Sequence, residues 1–205
     1  MISGVILAAG FSRRMGRPKL LIELQGKPIL THVLNIFQLT KIGELIVVAS
    51  SGDDHVSSIA EKENVRVVLN HYPDEGMAWS LKLAIGAIQG EAVVVGMGDQ
   101  PLLLPSTINA IIDAYEASSE AKIVVPVYNG QRGNPVLFDR VLFPQIMRIH
   151  GDVGAKSVVM KNASMVKEVL VDDVGVLLDI DNPHSLETAE RVLAARRLRE
   201  REPRQ

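Results

Sequence analysis

A turn of small residues followed by several cationic side chains is the part of this sequence whose residue types best suit chemistry. The apolar run that begins at Gly4 ends in Leu7 and the small residues Ala8, Ala9 and Gly10. Three arginines and a lysine follow within nine residues: Arg13, Arg14, Arg17 and Lys19. Small residues allow backbone N–H groups to approach a polyphosphate, and cationic side chains neutralise its charge. We interpret the stretch as the phosphate-binding loop of a nucleotide-using enzyme; the alternative is an exposed basic turn.

Carboxylates that could bind a divalent cation occur at two later positions. Asp99 directly follows an apolar segment of strand length, and Asp181 precedes Asn182 and Pro183, which resemble the start of a helix. Mg²⁺ is usually held by one or two carboxylates together with phosphate oxygens of the substrate. We therefore expect Asp99 and Asp181 to bind Mg²⁺, or alternatively Mn²⁺, although Asp99 could instead cap the next segment.

Three further segments carry polar residues at positions suited to ligand binding. Ser80 lies in the first turn of a helix-period segment, where it could hydrogen-bond a nucleotide or simply be an ordinary polar helix start. The turn-rich segment Arg132-Gly133-Asn134-Pro135 could hold a second substrate or form a plain hairpin. The Gly-rich segment 151–156 could bind an anion at the start of a helix, or Asp152 could act there as a cap.

Composition and missing motifs exclude several classes of protein. The net charge of −2 argues against a broad nucleic-acid-binding face, and the absence of cysteine excludes disulfides, thiolate metal sites and cysteine nucleophiles. No apolar run approaches the roughly 20 residues of a membrane span, and the N-terminus does not resemble a signal peptide. The Walker loop and the dinucleotide G-x-G-x-x-G pattern are both missing. We therefore expect a cytoplasmic protein with small-molecule substrates and without nucleic-acid or membrane partners.

Strands and helices alternate along the chain and must position these residues. The predicted strands are 4–8, 44–49, 65–69, 91–97, 122–127, 166–171 and 176–180, with a short apolar segment at 136–138. The predicted helices are 28–39, 53–62, 77–88, 106–117, 139–148 and one that begins at Pro183. This order predicts an α/β fold: a single Rossmann-like, doubly wound, mostly parallel sheet with helices on both faces.

The carboxyl ends of the strands are the expected ligand edge of such a sheet. The first loop, Asp99 and Asp181 would converge there if their strands are neighbours. Asp179 and Asp181 flank Ile180 and would share a face if the last strand continued through them. We expect residues 1–198 to form one domain and residues 199–205 to be a frayed basic tail.

The first loop and four later segments resemble a known family. Leu7 to Gly10, then Arg14-Met15, then Pro18-Lys19 match the signature of single-domain nucleotidyltransferases with the nucleotide-diphospho-sugar transferase-like fold. Segments 98–101, 132–135, 151–156 and 179–183 follow in the order seen in the molybdenum cofactor cytidylyltransferase family. The resemblance spans nearly the whole chain, and it implies the fold and activity of that family.

The resemblance also implies roles for individual residues on the nucleotide side. The nucleotide would be bound by Leu7, Ala8, Ala9, Gly10, Arg14, Lys19, Ser80 and Asp99. Arg14 would contact the β- and γ-phosphates, Lys19 the α-phosphate, and Asp99 a Mg²⁺ ion with Asp181 as its partner ligand. Arg14, Lys19 and Asp99 would be the catalytic residues. Guanylyltransferase relatives tend to have Gly-Gly where this chain has Ala9-Gly10, which favours CTP over GTP.

On the acceptor side, Arg132, Gly133 and Asn134 would face a molybdopterin substrate, although many members carry histidine at the position of Asn134. The implied reaction is transfer of CMP from CTP to the terminal phosphate of molybdopterin, with release of pyrophosphate. Two alternatives stay open: transfer to another phosphorylated acceptor such as a sugar phosphate, and a non-catalytic accessory protein that delivers the cofactor. A role in handling the molybdenum cofactor would also imply transient contact with a molybdenum hydroxylase.

Overall fold

A computed structural model of the chain describes residues 1–10 and 18–201; for Val153 and residues 197–201 it describes the backbone alone. The predicted phosphate ligand Arg14 lies outside the described residues. No helix in the described ranges is both long enough and apolar enough to cross a membrane.

The described strands form one large sheet and a small hairpin. In chain order they are β1 (Ile2–Leu7), β2 (Glu23–Leu24), β3 (Lys27–Pro28), β4 (Glu44–Ser50), β5 (Arg66–Asn70), β6 (Ala92–Met97), β7 (Ile123–Tyr128), β8 (Gln131–Arg132), β9 (Val136–Asp139) and β10 (Val166–Leu170). β2 pairs with β3, and the large sheet has the order β10-β7-β9-β6-β1-β4-β5, with β8 paired to β7. β1 pairs in parallel with β4 and β6, whereas β9 runs antiparallel between β6 and β7.

Helices cover both faces of this sheet. They are α1 (Ile29–Gln38), α2 (Asp54–Lys62), α3 (Met77–Ala87), α4 (Pro105–Glu116), α5 (Phe143–Ile146), α6 (Lys156–Lys161) and α7 (Pro183–Arg201). Side chains of α1, α2, α4 and α7 pack into one apolar core, and those of α3, α5 and α6 pack into the other. Every residue of β1 is buried, as its unbroken apolar run requires of a strand covered on both sides. The predicted doubly wound, mostly parallel α/β fold is confirmed.

Two local predictions are wrong. Residues 176–180 do not form a strand: a 3-10 turn spans Val174–Val176, and the carbonyl of Val176 accepts from the N–H of Asn134 instead of joining the sheet. Residues 139–148 are not one helix either. Asp139 caps a 3-10 turn by accepting from the N–H of Val141. The separate helix α5 then begins at Phe143 with Pro144 in its first turn, which proline suits better than a helix interior.

Asp173 is the buried anchor of the 3-10 turn at Val174–Val176. Its carboxylate is 1% exposed and accepts from Leu104 N–H at 2.8 Å, Thr107 Oγ1 at 2.8 Å and Gly175 N–H at 2.9 Å. The guanidinium of Arg196 contacts the same carboxylate at 3.4 Å. The turn is therefore held by one acidic side chain that the sequence pattern did not single out.

Replacing Asp173 with alanine is expected to lower the free energy of unfolding by about 3 kcal/mol, because buried donors lose their acceptor. Urea denaturation of the full chain measures this change. Asp172→Ala is the matched control, since its neighbouring carboxylate is exposed and its loss should change stability by less than about 0.5 kcal/mol. Equal stability of the two variants would contradict the anchoring role.

Candidate active site

A cavity of about 590 Å³ opens at the carboxyl edge of the sheet, where β1 and β6 end side by side. The sequence-predicted residues that line it are Leu7, Ala8, Ala9, Gly10, Lys19, Ser80, Asp99 and Asp181. The structure therefore brings together the described part of the first loop and both predicted carboxylates. Their roles in binding and catalysis stay predictions at this point.

Lys19 links the first loop to both carboxylates. It begins a short 3-10 turn, Lys19–Leu21, and its Nζ donates to Asp99 Oδ2 and, at 2.8 Å, to Asp181 Oδ1. Burial by itself would lower the pKa of Lys19, but the two carboxylates outweigh it and raise that pKa above its ordinary value. Lys19 is therefore a firmly protonated cation between two anions.

Asp99 has one carboxylate oxygen that accepts no hydrogen bond from the described residues. The residue is 8% exposed, and its Oδ1 is buried without a hydrogen-bond partner in the described structure. Leaving a charged oxygen unpaired in this way is costly, and such an atom is suited to a cation. No three or more acidic or histidine side chains among the described residues already form a metal site. Asp99 and Asp181 fit a divalent cation that completes its coordination with oxygens of a bound nucleotide.

The segment that carries Asp181 is positioned by Asp99 and its neighbour, although it is not a strand. The N–H of Ile180 donates to the backbone carbonyl of Asp99 at 3.0 Å. Gln100, which is 1% exposed, donates from Nε2 to Asp179 Oδ1 at 2.6 Å. Partial burial, together with repulsion from Asp99, raises the pKa of Asp179 to about 6. Asp179 and Asp181 thus both line the cavity, as the strand hypothesis required, but loop contacts place them there.

The end of the cavity beside α3 carries Ser80 together with the carboxylates of Asp74 and Asp152. Ser80, in the first turn of α3, lines the wall and accepts a hydrogen bond of 3.0 Å from Asn70 Nδ2. Asn70 is the last residue of β5 and is fully buried. Sequence reasoning missed Asn70; its signal was a polar side chain at the carboxyl end of an otherwise apolar strand.

A second cavity of about 330 Å³ adjoins the first. It contains the predicted acceptor residues Arg132, Gly133 and Asn134, together with Lys156. Both cavities share the same dividing wall, which is formed by Leu7, Met77 and Met97. The two predicted binding regions are therefore neighbours across three apolar side chains.

The acceptor segment is locked against the turn at Val174–Val176. The N–H of Asn134 donates to the carbonyl of Val176 at 2.9 Å, and a Cβ atom on Gly133 would lie 2.3 Å from that same oxygen. A residue larger than glycine therefore cannot occupy position 133 without moving the turn. Arg132 is paired with Glu168 at 2.7 Å at the rim of the cavity.

The Gly-rich segment 151–156 contributes to both cavities: Asp152 lines the first and Lys156 lines the second. Asp152 Oδ1 accepts from the N–H of Met77 at 3.2 Å, so this carboxylate caps the start of α3, not the start of α6. Gly76, with φ of +82°, allows the approach, because a Cβ there would lie 2.5 Å from Asp152 Oδ1. Asp152 is therefore a helix cap, as one of the two interpretations expected, but the helix that it caps begins 75 residues earlier in the sequence.

Known proteins are similar in sequence to large parts of this chain. A family model described as "MobA-like NTP transferase domain" matches residues 4–166. The molybdenum cofactor cytidylyltransferase of Escherichia coli K12 is 27% identical over 192 residues, which cover 92% of this chain and 95% of that protein. A probable molybdenum cofactor guanylyltransferase of Pyrococcus horikoshii is 35% identical over 126 residues, covering 61% and 62% of the two chains.

Solved structures share the fold. The crystal structure of Rv0371c from Mycobacterium tuberculosis H37Rv in complex with manganese superposes with a TM-score of 0.78 at 28% identity, covering 93% of this chain and 97% of that one. The predicted nucleotide-diphospho-sugar transferase-like fold is thereby confirmed.

Proposed function

Because the chain belongs to the family of MobA-like NTP transferases and is a nucleotidyltransferase, we propose that it transfers CMP from CTP to the terminal phosphate of molybdopterin, with release of pyrophosphate. The observation that carries the proposal is the pair of adjoining cavities. One is lined by Lys19 and by Asp99 and Asp181, the carboxylates proposed to hold a divalent cation for a triphosphate, and the other holds the predicted acceptor residues. Because Leu7, Met77 and Met97 line both cavities, substrates bound in them would lie side by side.

In the proposed reaction a phosphate oxygen of the acceptor attacks the α-phosphorus of CTP in line, and the bond from that phosphorus to the bridging oxygen of pyrophosphate breaks. The attacking group is already an anion, so no side chain has to remove a proton. The protein contributes position and charge neutralisation. Lys19 would move from the carboxylates to the α-phosphate, and Arg14 is proposed to stabilise the departing pyrophosphate.

Asp99 and Asp181 would hold Mg²⁺ beside the triphosphate once Lys19 leaves them. When bound, such a cation supplies charge neutralisation to phosphate oxygens and orients them. The buried Oδ1 of Asp99, which accepts no hydrogen bond within the described part of the chain, supports this assignment, and so does the manganese complex of the Mycobacterium tuberculosis protein. Mn²⁺ is therefore proposed as an alternative cation.

The choice of CTP rests on a relative that covers most of the chain and on one local difference. The Escherichia coli cytidylyltransferase matches 92% of the chain, whereas the Pyrococcus guanylyltransferase matches 61%. The pair Ala9-Gly10 stands where the guanylyltransferase signature tends to have two glycines. Both Ala9 and Gly10 line the cavity, so this difference lies where a nucleotide would bind.

Thermal-shift measurements with CTP, GTP, ATP and UTP in the presence of Mg²⁺ test the nucleotide. Selective binding at 100 times Kd should stabilise the protein by about 2.7 kcal/mol, and we expect the largest shift with CTP. Pyrophosphate release is then assayed with molybdopterin and with a panel of sugar phosphates as acceptors. A larger shift with GTP would overturn the choice of CTP. Binding of molybdopterin without pyrophosphate release from any nucleotide would identify a delivery protein instead.

A further inference from the structure

The amide of Asn70 has a fixed orientation behind Ser80, which lines the nucleotide cavity. Its Oδ1 accepts from the backbone N–H of Tyr72 at 2.8 Å, and a backbone N–H can only donate. The other end of the amide, Nδ2, therefore faces Ser80 Oγ at 3.0 Å, where it must be the donor. Asn70 is 0% exposed, so solvent does not compete for either contact.

This contact determines what the hydroxyl of Ser80 can do. A serine oxygen that accepts from Asn70 keeps its own proton for a different partner. No acceptor for that proton occurs among the contacts of the described residues. Because Ser80 lines the cavity and is 6% exposed, its O–H group is available to a ligand inside.

We infer that Asn70 is a positioning residue that makes Ser80 a hydrogen-bond donor to the nucleobase, so that the base recognised there presents an acceptor, either a carbonyl oxygen or an unprotonated ring nitrogen. The inference rests on the proposed function in so far as the ligand is a nucleoside triphosphate.

The position of the pair along the sheet explains why the base, and not the phosphates, meets Ser80. β5 ends at Asn70 and β6 leads to Asp99, with β4 and β1 between them. Three strand spacings separate β5 from β6, or about 14 Å. Lys19 lies at the β6 side, where it suits the triphosphate, whereas the charged residues that line the cavity beside α3 are Asp74 and Asp152, which would repel phosphates. This leaves the Ser80 end for the base.

Asn70→Asp tests the inference with almost no change in shape. The new carboxylate still accepts from the N–H of Tyr72, but it can no longer donate to Ser80. The Ser80 proton should then turn towards position 70 and away from the cavity. We expect KM for the nucleotide to rise about tenfold with kcat changed less than about threefold, because the contact with the base is equally strong in the ground state and in the transition state.

The double-mutant cycle with Ser80→Ala separates this effect from the added negative charge. Ser80→Ala alone should raise KM about tenfold, and adding Asn70→Asp should raise it less than about twofold further. A loss caused by charge alone would persist in full in the Ser80→Ala background and would overturn the inference. If Asn70→Asp does not fold, Asn70→Ala takes its place; its smaller loss should likewise vanish in that background.

Direct binding shows which part of the nucleotide is contacted. Ser80→Ala should weaken binding of the magnesium nucleotide about tenfold but leave binding of magnesium tripolyphosphate unchanged, and Ser80→Thr should resemble the wild type. Equal weakening of both probes would overturn the inference.

The double-mutant cycle uses whichever of CTP, GTP, ATP and UTP binds the wild type best. Failure of the wild type to bind any of them refutes the proposed function, whereas unchanged KM in Ser80→Ala and in both Asn70 variants refutes only the role of this pair.

Discussion

Replacing Asp99 with asparagine is expected to lower turnover by about 100- to 1,000-fold, the usual effect of losing one electrostatic contact to the transition state. The substitution keeps the shape of the side chain but removes the charge from Oδ2, which binds Lys19, and from Oδ1, which is buried without a hydrogen-bond partner among the described residues. Steady-state pyrophosphate release at saturating nucleotide and Mg²⁺ measures the loss.

Asp113→Asn is the control for this substitution. Asp113 forms a surface salt bridge with Lys41, and the two side chains are about half exposed, so its loss should leave turnover unchanged. The thermal midpoint of both variants is recorded to show that they remain folded. A folded Asp99→Asn enzyme with near-wild-type turnover would refute the assignment of Asp99 to the reaction.

Replacing Lys19 with glutamine should change two quantities in opposite directions. Turnover should fall by about 100- to 1,000-fold, because the α-phosphate loses the cation proposed to stabilise its growing charge. Affinity of the nucleotide-free protein for Mn²⁺ should instead rise, by at least about tenfold or 1.4 kcal/mol, because Lys19 no longer competes for Asp99 and Asp181. Calorimetric titration of the nucleotide-free protein with MnCl₂ measures the second effect.

Lys41→Gln is the matched control, since it removes an exposed lysine that also pairs with an aspartate. It should alter neither turnover nor Mn²⁺ affinity. Because the two carboxylates raise the pKa of Lys19, this residue stays protonated around neutral pH, and a titration of the wild-type rate in that range comes from another group. Weaker Mn²⁺ binding by the Lys19 variant would show that Lys19 and the cation do not share a position.

The sequence pattern was sufficient for the layers of the fold because burial on both faces leaves a clear signal. The uninterrupted apolar runs of β1, β4 and β6 predicted covered parallel strands, and helix periodicity predicted the helices that cover them. The same pattern wrongly predicted a strand at residues 176–180, where the apolar side chains pack into the core without forming a strand. Val176 packs in the core from a 3-10 turn, and its carbonyl is used by Asn134, a contact of long sequence separation that no local pattern encodes.

The candidate site likewise contains residues that the sequence pattern indicated and supporting residues that it did not. Residues that end strands or open helices were found, because small or charged residues interrupt apolar runs there; Asp99 and Ser80 are examples. Supporting residues were missed. Each of these residues, Asn70, Gln100 and Asp173, uses a buried amide or carboxylate group to bind a residue elsewhere in the chain. A single polar residue in a sequence does not reveal which residue it will bind. Their importance becomes visible only once the chain is folded.

The wall of Leu7, Met77 and Met97 belongs to both cavities, and this has an evolutionary consequence. A mutation in the wall that reshapes one cavity necessarily reshapes the other, so a new preference for one substrate cannot be acquired there independently of the other. Relatives that change their acceptor while keeping their nucleotide should therefore vary at positions that line the second cavity alone, such as Val159 and Met160. Directed evolution of acceptor range would best begin at those two positions.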